Sequence, residues 1–435
     1  MTSTFAVIDT GSNAIRLQIA AVEQPGTYRV IEQERRPVRL GHRVFETGKL
    51  DKSSRAEALE TLQRFKAAAD RHSCTATRAV ATSAMREAGD AADFIERAAK
   101  AGVSLEVLPE EEEARLISLG ILSGLKFNVP MGLFMDIGGG SLEIAVGNRV
   151  DLRCLLSVPV GAVRMTERFV GHDPPTEREI RDLRRFASKR MASAVKRVSK
   201  HRYRMVFGSG GTVTTLADAD ARFTGDSHEE SLYVLRRARL KSLFDLLRSQ
   251  PLREHAETII GDSKRADILV AGATVLLTAM EELELEYLFV SRRGLRDGLM
   301  VDLLARNFPK YTGTWAEEGT RIESIEQIGE KYNYDKVHCN HVAKLSLRIF
   351  EQTRRLHMLP AKFADILQAA AMLHDIGLFV DYPKHHKHSY YLIKSSASGV
   401  FDPAELDLVA NIARYHRKGL PSRKHLPFGQ LSPFQ

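Results

Sequence analysis

Two segments of the chain repeat one another. Phe5-Ala6-Val7-Ile8-Asp9-Thr10-Gly11-Ser12-Asn13 and Leu133-Phe134-Met135-Asp136-Ile137-Gly138-Gly139-Gly140-Ser141 each pass from an apolar run to an aspartate, then to glycine with small hydroxyl or amide residues. Each resumes as a second strand-like stretch, from Ile15 to Ala21 and from Leu142 to Val146. The pattern is a strand that delivers a carboxylate to a tight turn, where bare backbone N–H groups can cradle an anion. Two such hairpins, each heading one half of an α/β region, predict two similar lobes around a cleft. Facing each other, the turns would clamp a phosphate, with the aspartates available to a metal ion or a water.

The rest of the chain fits that frame. With 435 residues it is too long for one ordinary core. Its composition, 43% hydrophobic and 27% charged, is that of a globular protein. No apolar run approaches the roughly 18 residues of a membrane span, and the polar turn at Asp9 comes too early for a signal-peptide core. Cys74, Cys154 and Cys339 are scattered without metal or redox spacing, as in free thiols of a reducing cytoplasm. A cytoplasmic protein without membrane association is expected. The net charge of +8 favours polyanions in general, although basic stretches such as Arg181–Arg204 carry helical periodicity and read as solvated faces, so no specific nucleic-acid binding is expected.

Strand and helix patterns alternate through the first 308 residues. Ala58, Leu62, Phe65 and Ala69 share a helical face, and Thr77–Thr82 and Val103–Leu108 read as strands. Glu110–Leu122 is a helix whose first turn holds four glutamates, a charge that suits a helix N-terminus. Further strands are predicted at Cys154–Val158, Met205–Phe207 and Tyr287–Val290, and a last helix closes near Phe308-Pro309. Alternation of this kind is α/β. Tyr311-Thr312-Gly313-Thr314 reads as a linker, and nine of the 15 histidines follow it in an almost wholly helical region. The predicted domains are residues 1–125, 126–308 and 316–435.

Chemistry concentrates in three glycine-rich turns and a few carboxylates. The third turn, Gly208-Ser209-Gly210-Gly211-Thr212, lacks the Gly-Lys-Ser/Thr ending of a Walker loop, and none of the three fits the dinucleotide fingerprint. Asp9 and Asp136 sit at strand ends, and Glu143 starts the strand after its turn. Glu112 and Glu113 lead a helix. There they complement the helix dipole or, near a cleft, take a proton from an attacking water.

These residues resemble the exopolyphosphatase / guanosine pentaphosphate phosphohydrolase (Ppx/GppA) family of the actin-like superfold. The likeness runs in order through Asp9–Leu17, Ala81-Thr82-Ser83-Ala84-Met85-Arg86, Glu112-Glu113-Ala114-Arg115 and Asp136–Glu143. It continues through Pro159–Arg164, Gly208–Thr212, Arg265-Ala266-Asp267 with Gly272, and Ser291–Gly298. The resemblance implies two actin-like, ribonuclease-H-like lobes, a homodimer, and hydrolysis of a terminal phosphoanhydride bond. It implies Glu113 as general base, and Asp136 and Glu143 as holders of Mg²⁺ (Mn²⁺ also fits) that orient the water. Gly11, Ser12 and Asn13 with Gly138, Gly139, Gly140 and Ser141 would donate N–H groups to the terminal phosphate. Arg86 is implied as a phosphate contact, and Arg16 and Arg265 as contacts to the rest of the chain. Asp90 stands where family members usually carry Asn, so it is kept out of the site.

In the tail, His374-Asp375 ends an apolar helix, and His341 could join them on a cation. Imidazole with carboxylate suits Mn, Fe, Zn or Mg. The region resembles an HD-type phosphohydrolase domain, though the helix Pro403–Arg417 ends without the usual Asp and offers His416 nearby. His385, His386 and Lys387 read as an exposed basic turn. Three functions follow as expectations: an exopolyphosphatase acting on inorganic polyphosphate, a guanosine pentaphosphate (pppGpp) 5'-phosphohydrolase using the same site, or an HD phosphohydrolase or phosphodiesterase with a sensing N-terminal half.

Overall fold

The computed structural model describes residues 2–224, 232–256, 263–311, 315–317, 321–360, 362–397, 400–422, 425–429 and 431. The predicted linker residues Thr312–Thr314 lie outside them. The chain divides into two compact units. One comprises Met1–Gly124, Val129–Thr224 and Val234–Glu318; the other comprises Leu125–Asn128, Gly225–Tyr233 and Gly319–Gln435.

The first unit is built on two six-stranded sheets. Strands β1 (Ser3–Thr10), β2 (Ile15–Val22), β3 (Thr27–Arg36), β4 (Ala76–Ala81) and β5 (Leu105–Val107) belong to one. Strands β6 (Gly132–Ile137), β7 (Leu142–Gly147), β8 (Leu152–Val158), β9 (Met205–Ser209), β10 (Tyr233–Arg236) and β11 (Tyr287–Val290) form the other, and β12 (Ala316–Glu317) returns to the first. Their orders are β12-β3-β2-β1-β4-β5 and β10-β11-β9-β6-β7-β8. The repeat read in the sequence is therefore a repeat of topology. In each sheet three antiparallel strands are joined edgewise to parallel ones, β4 beside β1 and β9 beside β6. The two lobes expected from the sequence thus share one topology.

The register of the two hairpins matters most for function. Asp9 pairs with Arg16 across β1/β2, and Asp136 pairs with Glu143 across β6/β7. The two turns are of equal length and close alike, Gly11 N donating to Ala14 O at 3.1 Å and Gly138 N to Ser141 O at 3.0 Å. The same local fold thus sets a cation opposite one aspartate and a second carboxylate opposite the other.

Two boundaries differ from the sequence reading. Helix Leu295–Asn307, expected with the second lobe, packs on β1, β2 and β4 of the first sheet and on helix Glu110–Ser123. Residues 316–317, expected to open the helical domain, pair instead with β3. Apolar burial explains both. Leu299, Met300, Leu304 and Trp315 share a core with Phe5, Val7 and Tyr28, and each such side chain is worth about 1.5–3 kcal/mol when removed from water.

The second unit is helical as predicted. Its core of Ile325, Ile328, Ile366, Met372, Leu373, Phe401 and Val409 is drawn from helices Arg321–Lys331, Lys362–Leu373 and Pro403–Arg414 and from the segment before the last of them. No helix among the described residues is long and apolar enough to cross a membrane.

Candidate active site

The two hairpin turns touch. A Cβ added at Gly139 would lie 2.9 Å from Ser12 Cβ and 3.4 Å from Asn13 N, and one at Gly140 would collide with Ser83. Carbonyl groups of both turns are engaged away from the cleft. Asn13 O and Ser12 O accept from the N–H groups of Arg39 and Gly41. Gly138 O, Gly139 O and Gly140 O accept from those of Ala162, Arg164 and Gly161. The N–H groups of Gly11 and Gly138, expected to meet the phosphate, instead close the turns, which leaves those of Ser12, Asn13, Gly139 and Gly140 as the turn donors an anion could use.

That space is a small cleft of about 240 Å³, just under the usual range of small-molecule sites. Asp9, Asp136 and Glu113 stand on its wall with the turn residues Gly11, Ser12, Asn13 and Gly138–Ser141, as the sequence reading expected. Arg16, Arg265, Arg292, Arg293 and Arg296 line it too. The first two are among the expected residues; the last three lie in Ser291–Gly298, a segment whose sequence was noted but not assigned to the site. The run Arg292-Arg293-Gly294-Leu295-Arg296, basic and broken by a glycine where a helix begins, is the signal that could find them.

Buried acid chemistry dominates the floor. Glu113, in the first turn of helix Glu110–Ser123, is buried and pairs through Oε2 with Arg86 Nη1 at 2.6 Å. Burial pushes its carboxyl up to about 7; Arg86 opposes the shift, and the charges of Asp9 and Asp136 add to it. Asp136 is also raised by burial, although Ser209 Oγ donates to its Oδ2 at 2.5 Å. Glu143 lies well above the usual carboxylate range, from burial first and the Glu113 charge second, while Ser157 Oγ donates to Oε1 at 3.0 Å. Asp9 Oδ2 accepts from Arg16 Nη1 at 2.8 Å, and its buried Oδ1 accepts no hydrogen bond. Glu143 does not line the cleft, and no three of the four carboxylates bring oxygens within 4.8 Å of one another; Asp136 and Glu143, opposite each other across β6/β7, remain an oxygen-only pair of the kind that suits a hard cation such as Mg²⁺ or Mn²⁺.

Several expected residues take other positions. Arg86 does not line the cleft; its guanidinium is spent on Glu113 and on Leu108 O at 2.9 Å, so it orients the carboxylate. Gly208-Ser209-Gly210-Gly211-Thr212 is no loop: β9 runs to Ser209 and a helix starts at Gly210. Within it Gly208 faces Leu288 and Val213, and Thr212 faces Gly272, both away from the cleft. Gly210, with φ +88°, lies against Asp136, and Gly211 lies under the Arg265 guanidinium. Asp90 turns away from the cleft, accepting from Leu50 N at 3.0 Å.

In the second unit, His374 and Asp375 do come together with a second imidazole, but it is His338, not His341. His341 is exposed on the same helix, Lys336–Gln352. His385 and His386 are buried, not an exposed basic turn, and His385 joins His416 on Asp375.

Comparison with known proteins agrees with the fold. The Ppx/GppA phosphatase family matches residues 19–307, and domain III of Ppx/GppA phosphatases matches residues 320–433, the region read as HD-like. The solved Ppx/GppA enzyme of Aquifex aeolicus is 32% identical with a TM-score of 0.59, covering 69% of this chain and 100% of that one. An exopolyphosphatase from Cytophaga hutchinsonii is 26% identical with a TM-score of 0.66, covering 70% of this chain and 98% of its own. The chain belongs to the Ppx/GppA phosphatase family.

Proposed function

We propose that the cleft hydrolyses the terminal phosphoanhydride bond of inorganic polyphosphate. One observation carries the reading: Glu113, a buried carboxylate whose pKa is pushed to about 7, stands beside two N–H-edged turns in a cleft lined by five arginines. A base near neutrality has the proton affinity that water activation at physiological pH needs. The turns receive the terminal phosphate, Glu113 takes the proton of the attacking water, and Arg86 keeps the carboxylate aimed. Water oxygen bonds to the terminal phosphorus as the bridging P–O bond breaks, and the shortened chain leaves with the bridging oxygen. Asp136 and Glu143, with Asp9 beside them, would hold Mg²⁺; bound there, the ion supplies charge neutralisation for the phosphoryl oxygens and the water.

The cleft lining favours polyphosphate over guanosine pentaphosphate. Its arginines suit repeated phosphates, whereas among the described lining residues there is no aromatic ring on which a guanine could stack. The test is orthophosphate release from long-chain polyphosphate and from guanosine pentaphosphate, side by side, with Mg²⁺ and with chelator. Release from polyphosphate that chelation abolishes is the expected result. Preference for guanosine pentaphosphate would move the substrate while leaving the site, and silence on both would sink the proposal.

Arg265 gives a narrower expectation. It lines the cleft away from Glu113's own partner, so Arg265→Met is expected to raise KM for polyphosphate by about tenfold or more, the worth of one charge-assisted hydrogen bond, with a smaller change in kcat. Steady-state kinetics on long and short chains check this; a pure kcat loss would place Arg265 at the reacting phosphate instead.

A further inference from the structure

One short segment of the first lobe touches both glycine turns from behind. In residues 39–45 the N–H groups of Arg39 and Gly41 donate to Asn13 O at 3.1 Å and Ser12 O at 2.6 Å, which holds the first turn. Phe45 then sits where the two turns meet. A Cβ on Gly41 would lie 2.8 Å from Ser12 Cβ and 3.1 Å from Phe45 Cε2, and one on Gly140 would lie 2.7 Å from Phe45 Cζ. The Phe45 ring carries the Arg164 guanidinium, whose carbon is 3.9 Å from the ring centroid. Arg164 stands on helix Ala162–Phe169 of the second lobe and holds the second turn twice. Its backbone N–H donates to Gly139 O at 3.1 Å and its Nε to Gly140 O at 2.7 Å. The rest of its fork closes on Glu87 of the first lobe, Nη1 donating to Oε2 at 2.9 Å and Nη2 to Oε1.

The same segment is anchored on the second lobe at two more points. Arg39 pairs with Asp267 through both prongs, Nη1 to Oδ2 at 2.7 Å and Nη2 to Oδ1 at 3.2 Å. Asp267 lies two residues after the cleft arginine Arg265 on helix Ser263–Glu282. Glu167 Oε1 accepts from Arg43 N at 3.0 Å and lies 2.8 Å from His42 Nδ1. Backbone strain falls in the same place. Arg39 and Arg43 have φ of +56° and +59°, the left-handed region that a residue with a Cβ enters at a cost. Such conformations persist where the surrounding contacts over-determine them, and here those contacts run to the first turn and across to the second lobe. Arg39, Phe45 and Arg164 do not themselves line the cleft, so they act on a ligand only through the residues that do.

We propose that residues 39–45 form a strap that sets the spacing of the two phosphate-binding turns, with Phe45 stacked on Arg164 as its lock. This rests on the reading of the cleft as a site of phosphoanhydride hydrolysis. The free turn donors are divided between the lobes, Ser12 and Asn13 on one and Gly139 and Gly140 on the other. One phosphoryl group accepts from both sets only while the turns stay within hydrogen-bond reach across it. An arginine suits the lock because its plane stacks on the ring while its fixed fork reaches Gly140 O and Glu87 together. Arg39, Phe45 and Arg164 are thus positioning residues.

The test measures tripolyphosphate binding to the full chain by titration calorimetry, with Mg²⁺ and in the Glu113→Gln background so that the ligand survives. Arg164→Met is expected to weaken binding by about tenfold and Phe45→Leu by about fivefold, the worth of a charge-assisted hydrogen bond and of a largely desolvated cation–π contact. Arg164→Lys keeps the charge but not the fork, and should bind at least about fivefold more weakly than the parent. The double variant Phe45→Leu/Arg164→Met should be little weaker than Arg164→Met alone, because the two side chains form one lock. Melting curves set a temperature at which every variant is folded. Affinities of both single variants within twofold of the parent, a double loss equal to the product of the single ones, or full rescue by Lys each overturns the strap. Orthophosphate release by the wild type, run alongside, judges the hydrolytic reading separately. Tripolyphosphate that is bound but never hydrolysed would overturn that reading and leave the strap to the affinities, and a parent that binds none would overturn both.

Discussion

Replacing Glu113 by Gln is expected to lower phosphate release by about 10²–10⁴-fold while raising the stability of the cation-free protein at alkaline pH. The two effects share one cause. Burial makes the ionised carboxylate costly, and that cost is what gives it a proton affinity near neutrality. The folded pKa of about 7 lies above the ordinary 4.5. Between those values the folded chain holds a proton that the unfolded chain has released, so this group's contribution to stability falls as pH rises through the window. Above pH 7 the penalty is fully present, at most about 3 kcal/mol. Gln cannot ionise, so the gain of Glu113→Gln over wild type should be several degrees in Tm at pH 8 and small at pH 5. Mg²⁺ in the cleft favours the carboxylate and should shrink the gain. In the active enzyme the same titration makes phosphate release rise with pH through the Glu113 pKa, and added Mg²⁺ should move that limb to lower pH. A variant with wild-type turnover, or one no more stable at pH 8 than at pH 5 relative to wild type, would remove Glu113 from the role.

Much of this site was legible because it is local. A strand, an aspartate and a glycine turn of fixed length determine a hairpin register, and the register alone sets Arg16 opposite Asp9 and Glu143 opposite Asp136. What long-range packing decides was not legible. Arg86 reads as a free cation for phosphate until the fold brings Glu113 within 2.6 Å of it. His338 and His341 share a helix three residues apart, and only the helix's phase against Asp375 selects the first. His385-His386-Lys387 has the composition of a surface turn, yet hydrogen bonding of His385 to Tyr382 O goes with its burial. Helix Leu295–Asn307 follows the second lobe in sequence but buries its apolar face on the first, a choice made by Phe5, Val7 and Tyr28 hundreds of residues away.

That returning helix is the site of the second large effect: Gly298→Ala or Gly120→Ala should unseat the cleft from behind. Gly120, on the helix that begins with Glu110, and Gly298 meet where the two helices cross. A Cβ at Gly120 would collide with Gly294 O and lie 2.8 Å from Gly298 N; one at Gly298 would collide with Leu116 O and lie 2.6 Å from Leu116 C. These are backbone atoms, with no side chain to swing aside, so the helices themselves must separate. Overpacking of this kind costs about 3 kcal/mol or more, a fall in Tm of roughly 6–12 °C. The loss should not stop at stability. Glu113 lies two turns before Gly120 on the same helix face, and Gly294–Asp297, which lines the cleft, starts the partner helix. Separating the helices moves the carboxylate from Arg86 and shifts the arginine-bearing segment together, so phosphate release should fall even at temperatures where the variant is fully folded. Gly48→Ala is the control. Gly48 has φ +69° but no atom within 4 Å of the added carbon, so it should lose only about 1 kcal/mol and keep its activity. A melting point for Gly298→Ala no lower than that of Gly48→Ala would mean that the close helix crossing does not hold the cleft together.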